Sequence, residues 1–186
     1  LVEEFVSGIE VTVEGYCSLG KHKTLAISRK NHFRTGIASD LSYPANLSKE
    51  IEEKLIQTND QYVENSGLNF GITHAEYIVN ESTGTFYLIE IACRGGGSLI
   101  SSDIVKWVSG FDVYEALYSD LLGIGIPKIK EIEILKRNAI LHFFEFPEGK
   151  VKRISGLEQI KKIDNVLEIS LNFSEGDILK KAIDDR

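Results

Sequence analysis

The sequence contains no methionine, only two cysteines and no long apolar run, and each absence narrows what the chain can be. Cys17 and Cys93 are too few for a disulfide framework and lack the spacing of a metal site, which favours a reducing, cytoplasmic compartment. Without about 18 consecutive apolar residues, no segment is predicted to span a membrane. Because a translated chain starts with methionine, the complete lack of this residue leads us to expect a piece of a longer protein.

The composition is that of a globular protein with an acidic bias. The chain has 186 residues, with 21 basic and 28 acidic side chains and a formal net charge of −7. This length fits one domain, or one domain with a small appendage. The acidic excess lies within residues 1–123, whereas residues 124–186 are nearly balanced. An acidic surface argues against nucleic acid and anionic membranes as partners, and it leaves room for a metal ion.

Alternating apolar and polar residues predict two hairpins in the larger part of the chain. The predicted strands lie at 8–17, 23–30, 70–79 and 85–92, with a turn at 80–84 in the second hairpin. Residues 31–46 show no clear period and are predicted to form a long loop. Ser48 is expected to cap a helix whose apolar stripe contains Ile51, Leu55 and Tyr62.

Two short helices are predicted after the second hairpin. Beyond them, the sequence pattern changes to short strand-like runs. Ser101 or Ser102 is expected to begin the first helix and Asp112 the second, which ends at Gly123. Strands are then expected at 139–146, 150–154 and 166–171, with a short helix at 157–163. The predicted fold is α+β, an antiparallel sheet with helices packed on it and a small β-rich C-terminal appendage. The predicted domains are residues 1–123 and 124–186.

The second hairpin carries the pattern with the clearest chemistry. An antiparallel register across its turn pairs Glu76 with Glu90 or its diagonal neighbour and puts both carboxylates on one face, where directly opposed Cβ atoms lie about 4.5–5.5 Å apart. Two such carboxylates repel unless a cation compensates them, and oxygen ligands of this kind suit Mg²⁺. Arg94 follows beside them and could hold a phosphate or a carboxylate. A surface hairpin with solvated acids is the alternative, and geometry alone does not decide between the two.

Two further features leave alternatives open. The run Gly95 to Gly97 permits either anion binding by backbone amides or a plain connection. Near the N-terminus, Glu3, Glu4 and Glu10 lead into the first strand, where acidic side chains can contact ribose hydroxyls and an adenine amine. Charges at the edge of a strand are the simpler interpretation of these residues.

Taken in order, three motifs resemble the ATP-grasp superfamily over residues 1 to about 123. They read Glu3-Glu4-Phe5-Val6-x-Gly8-x-Glu10-Val11-x-Val13-Glu14, then Gly71-x-x-His74-x-Glu76-Tyr77, then Leu88-Ile89-Glu90-Ile91-Ala92-x-Arg94-x-Gly96-Gly97. The resemblance implies the C-terminal half of the ATP-grasp fold. The remaining residues are similar, less specifically, to part of the C-terminal domain of amino-acid-ligase and carboxylase-type members.

The resemblance implies how the N-terminal motif would contact ATP. Glu3 would face the adenine amine, the backbone of Glu4 to Val6 would bind the base, and Glu10 would take the ribose hydroxyls. Arg29 and Lys30 are candidates for phosphate contacts, although ordinary surface charges are the simpler interpretation.

The resemblance also implies the metal and phosphate contacts. Glu76 and Glu90 would hold one or two Mg²⁺ or Mn²⁺ ions at the ATP phosphates. Arg94 would be catalytic, holding the γ-phosphate or the acyl-phosphate. The family usually has asparagine as a further metal ligand where this chain has Ala92, so metal binding is expected to be weaker or to be completed by water or substrate.

The implied function is that of a carboxylate–amine ligase that uses ATP and Mg²⁺ and works through an acyl-phosphate. The chain would supply the ribose- and metal-binding side of the ATP site, and is expected to be inactive alone. One alternative is an enzyme like carbamoyl-phosphate synthase or biotin carboxylase that uses bicarbonate. Another is a non-catalytic nucleotide-binding module, and a third is a hairpin domain without a ligand. The expected partners are a small-molecule carboxylate and an amine. The oligomeric state considered is a homodimer.

Overall fold

Six antiparallel strands form the main sheet of the structure, a computed structural model that describes Val2 and residues 4–181. The strands are β1 (Ile9–Ser18), β2 (Lys21–Arg34), β3 (Ile37–Tyr43), β4 (Gly71–Asn80), β5 (Thr85–Ala92) and β6 (Ala139–His142). They lie in the order β5–β4–β1–β2–β3–β6, so β1 has a partner on each side. The structure also contains α-helices, so the predicted α+β class is confirmed.

One face of the sheet is apolar because every second residue of its central strands is hydrophobic. Val11 and Val13 on β1, and Ala75 and Tyr77 on β4, are buried on this face. The helix α1 (Lys49–Asn65) covers it and completes the hydrophobic core. The alternation that predicts both hairpins therefore also indicates which face is buried.

The helix α1 begins where the sequence predicts it. The Ser48 hydroxyl accepts a hydrogen bond from the backbone amide of Ile51 at 3.4 Å, as an N-cap does. Ile51, Leu55, Asn59 and Val63 are buried at successive turns. The predicted place of Tyr62 in this stripe is wrong, because the buried residues recur at every fourth position through Asn59 to Val63, and Tyr62 is 50% exposed.

The helix α2 (Val105–Ser109) is preceded by a π-helical turn over Ile100–Ile104. The predicted helix start at Ser101 or Ser102 is therefore wrong, since helical backbone is already present before Ser101. Leu99, with a φ of 65°, makes the entry into this turn. Because Ser101 is buried inside the turn, it does not serve as an exposed cap.

The helix α3 (Val113–Leu121) begins at the predicted cap. The Asp112 carboxylate accepts hydrogen bonds from the backbone amides of Tyr114 and Glu115, both at 3.0 Å. Gly123 follows the helix with a φ of 74°, the left-handed conformation expected of a glycine that ends a helix.

The helix α3 lies on the second face of the sheet, opposite α1. Tyr16 and Ser18 of β1 donate hydrogen bonds to the two carboxylate oxygens of Asp120, each 2.8 Å long. The Tyr16 ring also packs against Phe111, with ring centroids 5.9 Å apart. These contacts occupy the C-terminal end of β1, so the N-terminal end of this second face is left for polar residues.

Residues 31–46 are not the long loop that their irregular pattern predicts. Strand β2 continues to Arg34, Gly36 turns the chain with a φ of 75°, and β3 returns along β2. Strand β6 pairs with β3 and aligns Leu141 with Leu41. Because β6 comes from far along the chain, no local pattern around residues 31–46 could indicate this pairing.

The structure divides into two compact units. The first contains the described residues up to Asn31 and Asp40–His142, and the second contains His32–Ser39 and the described residues from Phe143 onward. Residues 124–142 belong to the first unit, where Ile129 is buried. The domain boundary expected after residue 123 stays a prediction.

The second unit contains short elements. They are β7 (Gly149–Lys150), α4 (Leu157–Ile160) and β8 (Ile178–Leu179), with β7 and β8 paired. Phe146 packs against both Phe144 and Phe173. The strand predicted at 166–171 is wrong and the one predicted at 150–154 is confirmed only at Lys150, because β7 and β8 form the only ladder of the described residues after Phe143. An alternating segment becomes a strand only where a second strand pairs with it.

Both cysteines are free thiols, with Cys17 buried and Cys93 exposed. The Cys17 thiol donates a hydrogen bond to the carbonyl oxygen of Leu68 at 3.2 Å. Within the part of the chain that the structure describes, no helix combines the length and apolar character needed to cross a membrane.

Candidate functional site

Two carboxylates face each other across the second hairpin. Glu76 of β4 and Glu90 of β5 are direct partners in the ladder, as the sequence predicts. A β-bulge follows immediately between Glu76 and Tyr77, with Ile89 as the additional residue of β5. Without this extra residue, Ile89 would face Glu76 and Glu90 would point to the apolar face. The bulge therefore places both carboxylates on the second face of the sheet.

Positively charged side chains lie beside both carboxylates. Lys30 Nζ lies 2.7 Å from Glu10 Oε1 and 3.6 Å from Glu76 Oε1. Arg94 Nη2 lies 3.5 Å from Glu90 Oε1. These cations reduce the repulsion between the opposed carboxylates. Lys30 is 13% exposed and links two acidic residues, so it is not the ordinary surface charge that the sequence suggests.

His74 lies between two carboxylates, those of Glu14 and Glu76. Its Nδ1 atom is 2.7 Å from Glu14 Oε1, and its Nε2 atom is 3.6 Å from Glu76 Oε1. Burial alone would lower the pKa of His74, but the contacts with Glu14 and Glu76 raise it to about 9. The His74 contact, together with the charge of Lys30, holds the pKa of Glu76 below its ordinary value although burial opposes this. At neutral pH the imidazole is therefore charged and Glu76 ionised.

Glu14 lies in the first of the three motifs, but sequence reasoning gives it no role in the site. Its place beside His74 follows from the register of β1 against β4, two strands that are not consecutive in the chain. The Glu14 side chain is only 2% exposed. The available signal is alternation, because Glu10, Thr12 and Glu14 lie on the face opposite the buried valines of β1.

The residues predicted to bind the nucleotide lie before β1 and at its start. Glu10 belongs to the cluster through its ion pair with Lys30. Glu4 is exposed and Val6 is half-buried in the segment that leads into β1. A Cβ atom on Gly8 would lie 2.4 Å from the carbonyl oxygen of Val79, so this segment lies directly against β4. The predicted contact of Glu3 falls outside the described residues.

The donor set suits a hard divalent cation. Glu76 and Glu90 offer carboxylate oxygens, the donors that Mg²⁺ and Mn²⁺ prefer. Ala92, opposite His74, contributes only a methyl group. Among the described residues, no group of three or more histidine, cysteine, aspartate or glutamate side chains is arranged to hold a metal ion. Two carboxylates therefore fit a metal ion that takes its remaining ligands from phosphate oxygens and water.

The three glycines after β5 differ in what surrounds them. A Cβ atom on Gly95 would lie 2.7 Å from Ser101 Oγ, and one on Gly96 would lie 2.9 Å from Ile100 Cγ2. A Cβ atom on Gly97 would meet nothing within 4 Å. Gly95 and Gly96 therefore allow the loop to pack closely on the π-helical turn, a reason that does not require an anion.

The substitution Gly95→Ala is expected to lower the free energy of unfolding by about 1–3 kcal/mol, because the new methyl group overpacks against Ser101. Gly97→Ala is the matched control, and should change the free energy of unfolding by less than about 0.5 kcal/mol. Urea denaturation of both variants measures the difference. Equal effects of the two substitutions would contradict the packing role of Gly95.

The sequence matches a family model directly. The model of the ATP-grasp domain matches residues 1–103, which is more than half of the chain. The chain therefore belongs to the ATP-grasp family, and the resemblance inferred from the three motifs is confirmed. No curated protein sequence gives a significant match.

Several solved structures share the fold. An L-amino acid ligase from Bacillus licheniformis superposes with a TM-score of 0.81 at 23% identity, covering 95% of this chain and 44% of the ligase. A phosphoribosylglycinamide synthetase from Anaerococcus prevotii gives a TM-score of 0.77 at 17% identity, covering 97% of this chain and 46% of the synthetase. For a biotin carboxylase from Campylobacter jejuni the values are 0.64 and 18%, with 81% of this chain and 32% of the carboxylase covered. At these identities the likeness shows the fold, and the chain spans less than half the length of each enzyme.

Proposed function

We propose that this chain supplies the ribose- and metal-binding side of the ATP site in a ligase that joins a carboxylate to an amine. The observation that carries the proposal is the opposed pair Glu76 and Glu90 with Arg94 beside it, on a sheet of the ATP-grasp family. Opposed like charges destabilise a hairpin. Lys30 and Arg94 already reduce this repulsion, and a cation bound between the carboxylates would turn it into attraction.

Each residue of the cluster would have a separate role. Glu76 and Glu90 would hold Mg²⁺ or Mn²⁺, which when bound supplies charge neutralisation and orientation of the ATP phosphates. Glu10, at the start of β1, would accept hydrogen bonds from the ribose hydroxyls. Arg94 is exposed, so its guanidinium can leave Glu90 and bind a phosphoryl group through two parallel hydrogen bonds.

The proposed reaction consists of two displacements. An oxygen of the substrate carboxylate attacks the γ-phosphorus of ATP, the bond to the bridging oxygen breaks, and ADP leaves with that electron pair. The amine then attacks the acyl carbon of the acyl-phosphate, the carbon–oxygen bond breaks, and phosphate leaves while the nitrogen loses a proton. Arg94 would stabilise the negative charge on the transferred phosphoryl group, and the protein itself forms no covalent bond.

Two other functions have a specific observation in their favour. The likeness of the fold to a biotin carboxylase favours bicarbonate as the carboxylate. Ala92 favours a non-catalytic nucleotide-binding module, since it offers no oxygen to a metal ion. The small-molecule partners of the first proposal, a carboxylate and an amine, therefore need a direct test against both.

The complete protein is expected to release phosphate from ATP only when a suitable carboxylate and amine are present with Mg²⁺. The measurement is phosphate release across a panel of amino acids, other carboxylates and bicarbonate, each with and without an amine. A heavy-oxygen label in the stimulating carboxylate should appear in the released phosphate, because the attacking oxygen leaves with it. Stimulation by bicarbonate alone would support the second function. Nucleotide binding without stimulation by any substrate would exclude both ligase reactions.

A further inference from the structure

Glu14 is a buried carboxylate that the proposed reaction does not use. Its side chain is 2% exposed, and its Oε1 atom lies 2.7 Å from His74 Nδ1. Its Oε2 atom is buried and has no hydrogen-bond partner among the described residues. An ionised carboxylate in such surroundings is costly unless it is paired. The contact with His74 is therefore the interaction that compensates the burial of Glu14.

His74 also contacts Glu76, one of the two proposed metal-binding carboxylates. With Nδ1 directed at Glu14, the Nε2 atom at the other side of the ring lies 3.6 Å from Glu76 Oε1. The two contacts require opposite edges of the imidazole, so together they define the plane of the ring. A Cβ atom on Gly96 would lie 3.3 Å from His74 Nδ1, so the glycine loop lies close to the Nδ1 edge of the ring.

The polar pairs nearby show that the second face of the sheet does not need a buried charge. Two residues along β1 from Glu14, Thr12 Oγ1 and Ser28 Oγ satisfy each other through a neutral hydrogen bond of 2.7 Å. A pair of this type would fill the sheet at lower cost than Glu14 and His74 do. The Glu14–His74 pair differs from the Thr12–Ser28 pair because His74 also contacts Glu76.

We infer that Glu14 is a positioning residue for the metal-binding carboxylate Glu76, and that it acts through His74. Glu14 holds the imidazole, and the imidazole holds one oxygen of Glu76 so that the other stays directed toward the metal ion. Partners of this kind, one step removed from the ligand, typically contribute about 10–100-fold to metal affinity. This inference rests on the proposed function, since it requires that Glu76 binds a metal ion.

Three variants of the complete protein separate the two contacts of His74. An asparagine amide reaches the position of Nδ1, so His74→Asn keeps a donor for Glu14 but removes the group that contacts Glu76. His74→Asn should therefore remain folded, yet need about 10–100-fold more Mg²⁺ to bind a non-hydrolysable ATP analogue. Glu14→Gln keeps an oxygen acceptor for His74 and should need about as much Mg²⁺ as the wild type. Glu14→Ala removes this acceptor and should need about 10–100-fold more Mg²⁺, as His74→Asn does.

Calorimetric Mg²⁺ titration in the presence of the analogue, with thermal unfolding of the metal-free proteins, gives both readouts. Asp60→Asn is the matched control, because Asp60 also binds a buried histidine, His22, at 2.8 Å but on the opposite face of the sheet. It should lower the unfolding temperature without changing the Mg²⁺ requirement. An unchanged Mg²⁺ requirement in folded His74→Asn would overturn this inference without contradicting the proposed function. Absence of Mg²⁺-dependent binding in the wild type would overturn the proposed function, and the inference with it.

Discussion

Replacing Glu90 by alanine is expected to reduce Mg²⁺-dependent turnover of the complete protein by more than about 100-fold, which exceeds the usual cost of losing a partner one step removed from a metal ion. Glu90 is directly opposed to Glu76, and no other residue replaces its carboxylate at that position of the ladder. The fold should be unaffected, since the side chain is 59% exposed and its removal relieves repulsion between like charges. Steady-state phosphate release with the stimulating substrate, together with thermal unfolding, measures both effects.

The control for this substitution lies on the same hairpin. Glu81 is also acidic and accessible, but it pairs with Arg29 at 2.8 Å and does not belong to the cluster around Glu76. Glu81→Ala should therefore keep the turnover of the wild type within about twofold, as expected of a surface ion pair. If Glu90→Ala retains the turnover of Glu81→Ala, then Glu90 does not bind the metal ion.

The opposed pair is predicted correctly, but the regular register of the hairpin does not produce it. Regular pairing from Asn80 with Thr85 runs up to Tyr77 with Leu88, and its continuation would place Ile89 opposite Glu76. Only the bulge restores Glu90 to that position. A hairpin and its turn can be read from local residues, whereas a bulge shows itself only in the pairing of the two strands. The carboxylate pair thus follows from a local pattern together with an irregularity that the pattern does not show.

The remaining site residues come from strands that lie far apart in the chain. Glu14 meets His74 because β4 pairs with β1 rather than with a strand next to it in sequence. Lys30 reaches Glu76 across β1, which lies between their two strands. Alternation correctly assigns these residues to one face, but which strands are neighbours is decided by packing of the whole sheet. The same reason explains why β3, which pairs with the distant β6, has no recognisable signal in residues 31–46.

Replacing Asp60 by alanine is expected to lower the free energy of unfolding by about 3–5 kcal/mol, the usual cost of removing one partner of a buried ion pair. Asp60 Oδ1 accepts hydrogen bonds from His22 Nδ1 at 2.8 Å and from the backbone amide of Thr24 at 2.9 Å. Oδ1 also accepts a hydrogen bond from the Thr24 hydroxyl at 2.8 Å, and Oδ2 accepts one from Lys130 Nζ at 2.8 Å. His22 is fully buried, so its donor would find no replacement in water. Urea denaturation at neutral pH measures the loss, and Glu53→Ala on the exposed side of α1 should change stability by less than about 0.5 kcal/mol.

The pH dependence tests the same carboxylate independently. Burial alone would raise the pKa of Asp60, but the hydrogen bonds from His22, Lys130 and Thr24 outweigh it and hold the pKa below its ordinary value. The stabilisation by ionised Asp60 should therefore be complete above about pH 4, the ordinary value for aspartate, and be lost as the pH falls through the lower pKa of the folded state. The difference in unfolding free energy between the wild type and Asp60→Asn should shrink in that range. A difference that stays constant down to pH 2 would contradict the assignment. Because Asp60 lies on the face opposite Glu76, its loss should lower stability at every nucleotide concentration without altering the Mg²⁺ requirement.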